Sequence, residues 1–292
     1  MTKIGDFLDI HASNIWGPKV DQTQEHLESS KAKIEVFLSY DDNHTKQLTD
    51  IGSREIMDFG QWLRAERGIT ESTLNNYKAA ISKLYDYASE YEEITEADVP
   101  RIKFKRIKKP DPHFYSTDQI KQIQDYLAGC KHTWLLHMFN IGLCTGMRKS
   151  EIWGVTRDSI KWIDGEMFVH LAHTKNGFER DVPISVAAKL AFDAVGWEFP
   201  KTKGGGNFPE GAHRDAWNEI RRVICRGKKM ANFHASRHTA ATHLSNQMNT
   251  SLAMVGKMLG HKDLSTTLKY VHTKPETLSA LAHQLSSITA QH

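Results

Sequence analysis

One short segment limits what this chain can fold into. Phe104 to Pro112 is basic and carries Pro110 and Pro112, neither of which fits a helix interior or a central strand. It is followed at once by Ser116-Thr117-Asp118-Gln119, a side-chain pattern that opens a helix by capping its free N–H groups. Periodicity also changes across it, so the 292 residues read as two parts: a helical domain over 1–103, a basic linker over 104–113, and a second domain over 114–292.

The first part predicts a small helical bundle, with helices over Ile4 to about Asn14, about Thr23 to Tyr40, Ser53 to Arg67 and Thr70 to Tyr91. In the last, Leu74, Tyr77, Ile81, Leu84, Tyr85 and Ala88 recur at the three- and four-residue steps of one buried face, with Thr70 or Ser72 as cap. The second part is mixed. Helices over Lys121 to Ala128 and Thr133 to Leu143 precede short strands at Ser159–Ile163, Glu166–Leu171 and Phe178–Ile184, with Asp164-Gly165 and Asn176-Gly177 as tight hairpin turns. Helices return over about Ala212 to Cys225, Arg237 to Met248, Ser251 to Leu259 and Leu264 to His272. The expected class is mainly α with a small antiparallel sheet.

Charge is unevenly placed. Lys and Arg exceed Asp and Glu by only 38 to 35, yet Arg101, Lys103, Lys105, Arg106, Lys108 and Lys109 follow one another without an acid. A second such run holds Arg221, Arg222, Arg226, Lys228 and Lys229. One run alone is ordinarily a solvated surface; two, interleaved with apolar residues, favour a phosphate-bearing partner. Three scattered cysteines form no disulfide framework or metal pairing. The apolar stretch Trp134 to Leu143 is broken by His137 and Asn140 and falls short of the ~18 residues of a membrane span. With no export signal near Lys3, Asp6 and Asp9, a cytoplasmic location is expected. Gly204-Gly205-Gly206 lacks the spacing of a nucleotide-phosphate loop.

Four passages place cationic or nucleophilic side chains at helix ends or a hairpin tip: Thr145-Gly146-Met147-Arg148 with Glu151, Thr174-Lys175, His234-Ala235-Ser236-Arg237, and Leu259-Gly260-His261 followed by Tyr270. An oxygen nucleophile attacking a phosphodiester builds negative charge on the non-bridging oxygens, and guanidinium groups, permanently charged and bidentate, suit that charge best. Arg148 and Arg237 fit that need. In order and spacing the passages resemble the tyrosine recombinase (phage integrase) family from Phe114 to about Tyr270, and the N-terminal helices resemble its SAM-like core-binding domain.

That resemblance implies Tyr270 as the nucleophile, forming a 3′-phosphotyrosyl link, and Lys175 as the acid that protonates the departing 5′ oxygen. His234 and His261 would bind the phosphate or move the phenolic proton, and Glu151 would hold Arg148. It implies duplex DNA as partner, contacted by Arg101 to Lys109 and by Arg221 and Arg222, a homotetramer in synapsis, and a host bending protein or directionality factor as accessory partner. Neither metal nor ATP is implied as cofactor. Integration or excision of a phage or mobile element is the expected task, with Xer-like dimer resolution or DNA binding without catalysis as alternatives. Ala235-Ser236 departs from the acidic residue and leucine that many relatives carry. With the first helix opening at Ile4, no arm-binding domain is expected ahead of it.

Two further expectations concern local structure. On a helix from Leu264, the residues Leu264, Leu268 and Val271 would form the apolar stripe, leaving Tyr270 to project into a cleft. Leu278, Leu281, Leu285 and Ile288 recur as in an amphipathic terminal helix. The rival chemistry for these residues is a metal site, with His234 and His238 one helical turn apart and His243 nearby.

Overall fold

The computed structural model describes residues 2–16, 24–108, 111–172, 179–201, 208–246 and 251–270, with the side chains of 24–27 left aside. They fall into two compact units, Met1–Lys109 and Pro110–His292. The architecture is mainly helical with one three-stranded antiparallel sheet, as the periodicities predict.

The first unit packs α1 (Ile4–Ile15), α2 (Gln24–Ser39), α3 (Ser53–Arg67) and α4 (Glu71–Glu90) around Phe7, Phe37, Phe59, Leu63, Leu84 and Tyr85. Helix α4 starts where expected, because the Thr70 hydroxyl accepts the Thr73 N–H. Its predicted face is the buried one, through Leu74, Ile81, Leu84, Tyr85 and Ala88. Phe37 meets Phe59 edge to face at 5.2 Å, and the Tyr85 hydroxyl satisfies itself on the Leu48 carbonyl at 3.0 Å.

Beyond α4 the chain runs back along the same unit. Ser53 donates to the Arg101 carbonyl, Lys78 to the Lys103 carbonyl at 2.8 Å, and the Asn75 amide donates to the Lys105 carbonyl at 2.8 Å. The segment itself contributes only backbone carbonyls to these three bonds, and the side chains of Arg101, Lys103, Lys105, Arg106 and Lys108 are exposed.

The second unit contains α5 (Thr117–Ala128), α6 (Trp134–Thr145), α7 (Lys149–Trp153), β1 (Ile160–Ile163), β2 (Glu166–Leu171), β3 (Arg180–Pro183) and α8 (Val186–Ala194). It continues with α9 (Glu210–Val223), α10 (His234–Ser245), α11 (Leu252–Leu259) and α12 (Leu264–Leu268). The capping box opens α5 as read, with Gln119 N–H on the Ser116 hydroxyl and Ser116 N–H on the Gln119 side chain. Helix α6 is the hub, burying Trp134, Leu135, Met138, Phe139 and Ile141 between α5, α8 and α10. In the sheet, β1 pairs with β2 and β2 with β3; Val169 faces Val182 and Leu171 faces Arg180. Asp164 and Gly165, with φ of 52° and 81°, form the turn between β1 and β2 as the dipeptide requires.

Most helix ends fall within about two residues of the expected ones, and two differences bear on the site. Helix α10 begins at His234 rather than Arg237: Phe233 packs on Trp217 at 5.2 Å, and Ala235 and Ser236 close the first turn onto the carbonyls of Asn232 and Phe233. Tertiary burial thus starts the helix without a capping side chain. Helix α12 ends at Leu268 rather than His272, and Tyr270 lies in the following turn, its N–H on the Thr267 carbonyl. Here burial reverses the predicted stripe. Leu264 and Leu268 are exposed while Thr267 and Tyr270 are buried, because α12 sits on α11 through Thr267 against Gly256, a small-residue contact that hydropathy does not reveal. The proposed terminal helix over 275–288 lies outside the described residues.

Candidate active site

The site is built on a carboxylate. Glu151, in α7, accepts the backbone N–H of Arg148 at 2.7 Å and the Arg148 Nη1 at 2.7 Å. Arg148 therefore stands at the N-cap of α7, with its guanidinium held by Glu151. Arg180, from β3, donates Nη1 and Nη2 to the same carboxylate at 3.0 and 2.7 Å. Burial alone would raise the Glu151 pKa, but the hydrogen bonds and charge of Arg180, then Arg148, override it and hold the carboxyl at about 2. The Glu151 side chain is 4% exposed, so this is no surface ion pair.

Arg180 escaped the sequence reading and is a structural hub. Its Nε donates to the Met258 carbonyl at 3.0 Å, tying the sheet to the end of α11. Its guanidinium also explains the glycine of Leu259-Gly260-His261: a Cβ at Gly260 would stand 2.8 Å from Arg180 Nη1, and the backbone there has φ of 68°. Both facts exclude a larger residue. A signal was present in the sequence, since Arg180 shares an inward strand face with Val182, where a charged residue needs a partner.

Arg237, in α10, is 2% exposed and donates Nη1 to the Gly146 carbonyl at 2.7 Å and Nη2 to the Leu259 carbonyl. Those two carbonyls sit at the C-termini of α6 and α11, so two helix ends orient one guanidinium. Burial and then the charge of Arg148 push its pKa down to about 10, with Glu151 opposing, so it stays charged at neutral pH. Gly146 closes α6 at φ of 65°, and a side chain there would collide with Leu259.

Tyr270 is buried at 5% exposure, beside these cations. Its hydroxyl lies 2.7 Å from Nδ1 of His238, and its ring stacks on His261 with centroids 6.1 Å apart. Burial raises the phenol pKa, while Arg237 and Arg148 oppose the rise. His261 is fixed by its Nδ1 contact to the Thr267 hydroxyl at 2.9 Å. Burial, then Arg237 and Arg148, lowers its pKa to about 4, so its ring is neutral near pH 7. His234 stands edge-on to His238 at 4.6 Å.

Arg148, Glu151, Arg237, His261 and Tyr270 thus converge, with His234 reaching the group through His238. Lys175 and Lys109 lie outside the described residues. Of the second basic run, Arg222 is exposed but paired with Glu219 at 2.6 Å, while Arg221 is half-buried with its Nε unbonded. The metal alternative finds no support in geometry: His238 turns its Nδ1 to a phenol, and among the described residues no group of three His, Cys, Asp or Glu side chains is placed to hold an ion. Among those residues, too, no helix is long and apolar enough to cross a membrane.

Comparison with known proteins identifies the family and the fold. Residues 113–277 match the phage integrase family and residues 4–106 the phage integrase SAM-like domain. The chain is 24% identical over 262 residues to a tyrosine recombinase of Thermosipho africanus, covering 86% of this chain and 89% of that protein. It is 26% identical over 300 residues to tyrosine recombinase XerD of Pseudomonas aeruginosa, covering 92% of each. Among solved structures, the Tn1549 transposon integrase in complex with a circular intermediate DNA shares the fold at TM-score 0.70 and 15% identity, over 97% of this chain and 100% of that one. A lambda integrase tetramer bound to a Holliday junction does so at TM-score 0.68 and 16% identity, over 93% and 78%. With its family match spanning more than half of its length, the chain belongs to the phage integrase family and is a tyrosine-type site-specific recombinase, an enzyme that breaks and rejoins DNA strands.

Proposed function

We propose that this recombinase cuts each strand with Tyr270, whose hydroxyl oxygen attacks the phosphorus to form a 3′-phosphotyrosyl bond as the 5′ oxygen leaves. The observation that carries this reading is the convergence of a buried tyrosine hydroxyl with Arg148 and Arg237. Their guanidinium groups are held by Glu151 and by two helix-end carbonyls before any substrate arrives, so charge developing on the phosphate meets preorganised donors. Lys175 protonates the departing oxygen, and His234 and His261 bind the phosphate. A second strand's 5′ hydroxyl reverses the reaction; the phosphotyrosyl bond conserves the phosphodiester energy, so neither metal nor ATP enters.

The task we assign is integration or excision of a phage or mobile element, by a homotetramer on duplex attachment sites in the cytoplasm. The likeness to a transposon integrase supports it, while the likeness to XerD keeps dimer resolution as the second reading. The strip Arg101 to Lys108 supplies phosphate contacts that position the protein without reading sequence. The test uses nicked duplexes of candidate attachment sequences, incubated with protein and chelator and resolved under denaturing conditions. A covalent protein–DNA band that disappears in Tyr270→Phe, with DNA binding retained, is the expected result. Cleavage by Tyr270→Phe would overturn the assignment.

A further inference from the structure

His238 has no place in the chemistry above, yet it is the side chain that touches the nucleophile. Its Nδ1 lies 2.7 Å from the Tyr270 hydroxyl, within hydrogen-bond distance, whereas His261 meets the Tyr270 ring by stacking with centroids 6.1 Å apart. The two rings are tilted by 34° with centroids 5.4 Å apart, so the contact is made by the ring nitrogen and not by stacking. We propose that His238 is the group that holds the Tyr270 hydroxyl and accepts its proton as the oxygen attacks phosphorus, an inference that rests on Tyr270 being the nucleophile.

The surroundings suit a neutral acceptor. His234 stands against one side of the ring, and Arg237 is the adjacent residue on the same helix. Burial first, then His234 and Arg237, disfavours a positive charge on His238, so its ring is neutral before reaction and has a lone pair to offer. The balance is simple. As the Tyr270 oxygen bonds to phosphorus, its proton passes to Nδ1 of His238; the bond from phosphorus to the 5′ oxygen breaks, and that oxygen takes a proton from the acid on the leaving side. Religation returns both protons. His238 and Arg237 are consecutive in α10, so one helix turn presents both the proton acceptor and the transition-state cation. His234 and His261 keep the phosphate-binding role proposed above.

Asparagine at 238 distinguishes proton acceptance from simple holding, because its amide superposes on Cγ and Nδ1 of histidine and keeps a hydrogen-bonding group there without a basic one. His238→Asn should bind DNA as the wild type does and cleave the nicked duplex about 100-fold more slowly. The same deficit should persist on a 5′-bridging phosphorothiolate, whose sulfur leaves without a proton. Cleavage within about threefold of wild type, or rescue by the phosphorothiolate, would overturn the proposal. A second readout needs no change at 238: in ¹⁵N-histidine-labelled wild-type protein, the His238 Nδ1 should be unprotonated at pH 7 and shift in Tyr270→Phe. A protonated Nδ1 would overturn the proposal as well. Failure of the wild type to form any covalent product would instead sink the nucleophile assignment, which keeps the two ideas separable.

Discussion

Two cationic regions of this molecule use the same side chains in opposite ways. Along the first unit, Arg101 to Lys108 is tied down only by backbone, through Ser53, Asn75 and Lys78, and its charges stand in solvent. In the second unit, Arg148, Arg180 and Arg237 are packed around one carboxylate and three helix-end carbonyls, with their donors already committed in part. Exposed charge costs little to keep and acts at a distance, through counterion release and steering. Buried charge is expensive to desolvate, but it is fixed in place and acts in a low-dielectric setting, where it discriminates between two states of a phosphate. On the reading proposed above, the first kind would set how tightly DNA is held, and the second what is done to it.

The sharpest way to break that contrast is at Arg237. Arg237→Lys keeps the charge but cannot reach the Gly146 and Leu259 carbonyls together, so single-turnover cleavage should fall by about 10³ with binding changed less than about threefold. Equal losses in binding and cleavage would erase the distinction between the two regions. Next comes Glu151→Gln, which leaves Arg148 and Arg180 facing each other without a counter-charge. Thermal or urea unfolding should show a loss of roughly 3 kcal/mol, and Arg148 should lose its alignment with it. Because Glu151 has its pKa depressed in the folded state, its contribution is fully present above about pH 4.5 and is lost as pH falls toward 2; the variant should lack that acid-sensitive component.

The exposed strip predicts a different signature. Lys103→Ala with Lys105→Ala should reduce the salt slope of DNA binding by roughly two and weaken binding evenly across sequences. Cleavage per bound complex should stay at the wild-type rate, and a drop would mean the strip does more than hold phosphate. The smallest effect tests the background. His213, stacked on Trp217 in the second unit's core, has its pKa lowered to about 4 by burial, so the unfolded chain binds a proton first. Stability should therefore decline as pH falls from 6.5 toward 4, by about 1 kcal/mol per pH unit from this residue. His213→Phe should flatten the decline, which separates it from the Glu151 component at lower pH.

How far the sequence foretold the molecule depends on whether a residue's role was local. Thr70, Ser116 with Gln119, and Asp164-Gly165 act through bonds to near neighbours, and each forms the structure its pattern predicts. The candidate residues were legible because their order along the chain matched a family. Arg180 was not, since its meaning comes from a carboxylate on α7 and a carbonyl on α11, both distant in sequence. His238 was read as half of a metal pair because helical spacing shows which residues share a face and not what faces them. For α12 the same limit had a larger effect: periodicity located the apolar side, and only packing against Gly256 shows that Thr267 and Tyr270 turn inward.

The most direct test of the account is to locate the bond itself. Covalent complex formed on a nicked duplex in the presence of chelator would be digested with protease and nuclease and sequenced by mass spectrometry. The account predicts a single nucleotide-bearing peptide with the modification on Tyr270, joined through a 3′ phosphate. An adduct on any other residue, a 5′ linkage, or strand cleavage that proceeds without a covalent intermediate would contradict it.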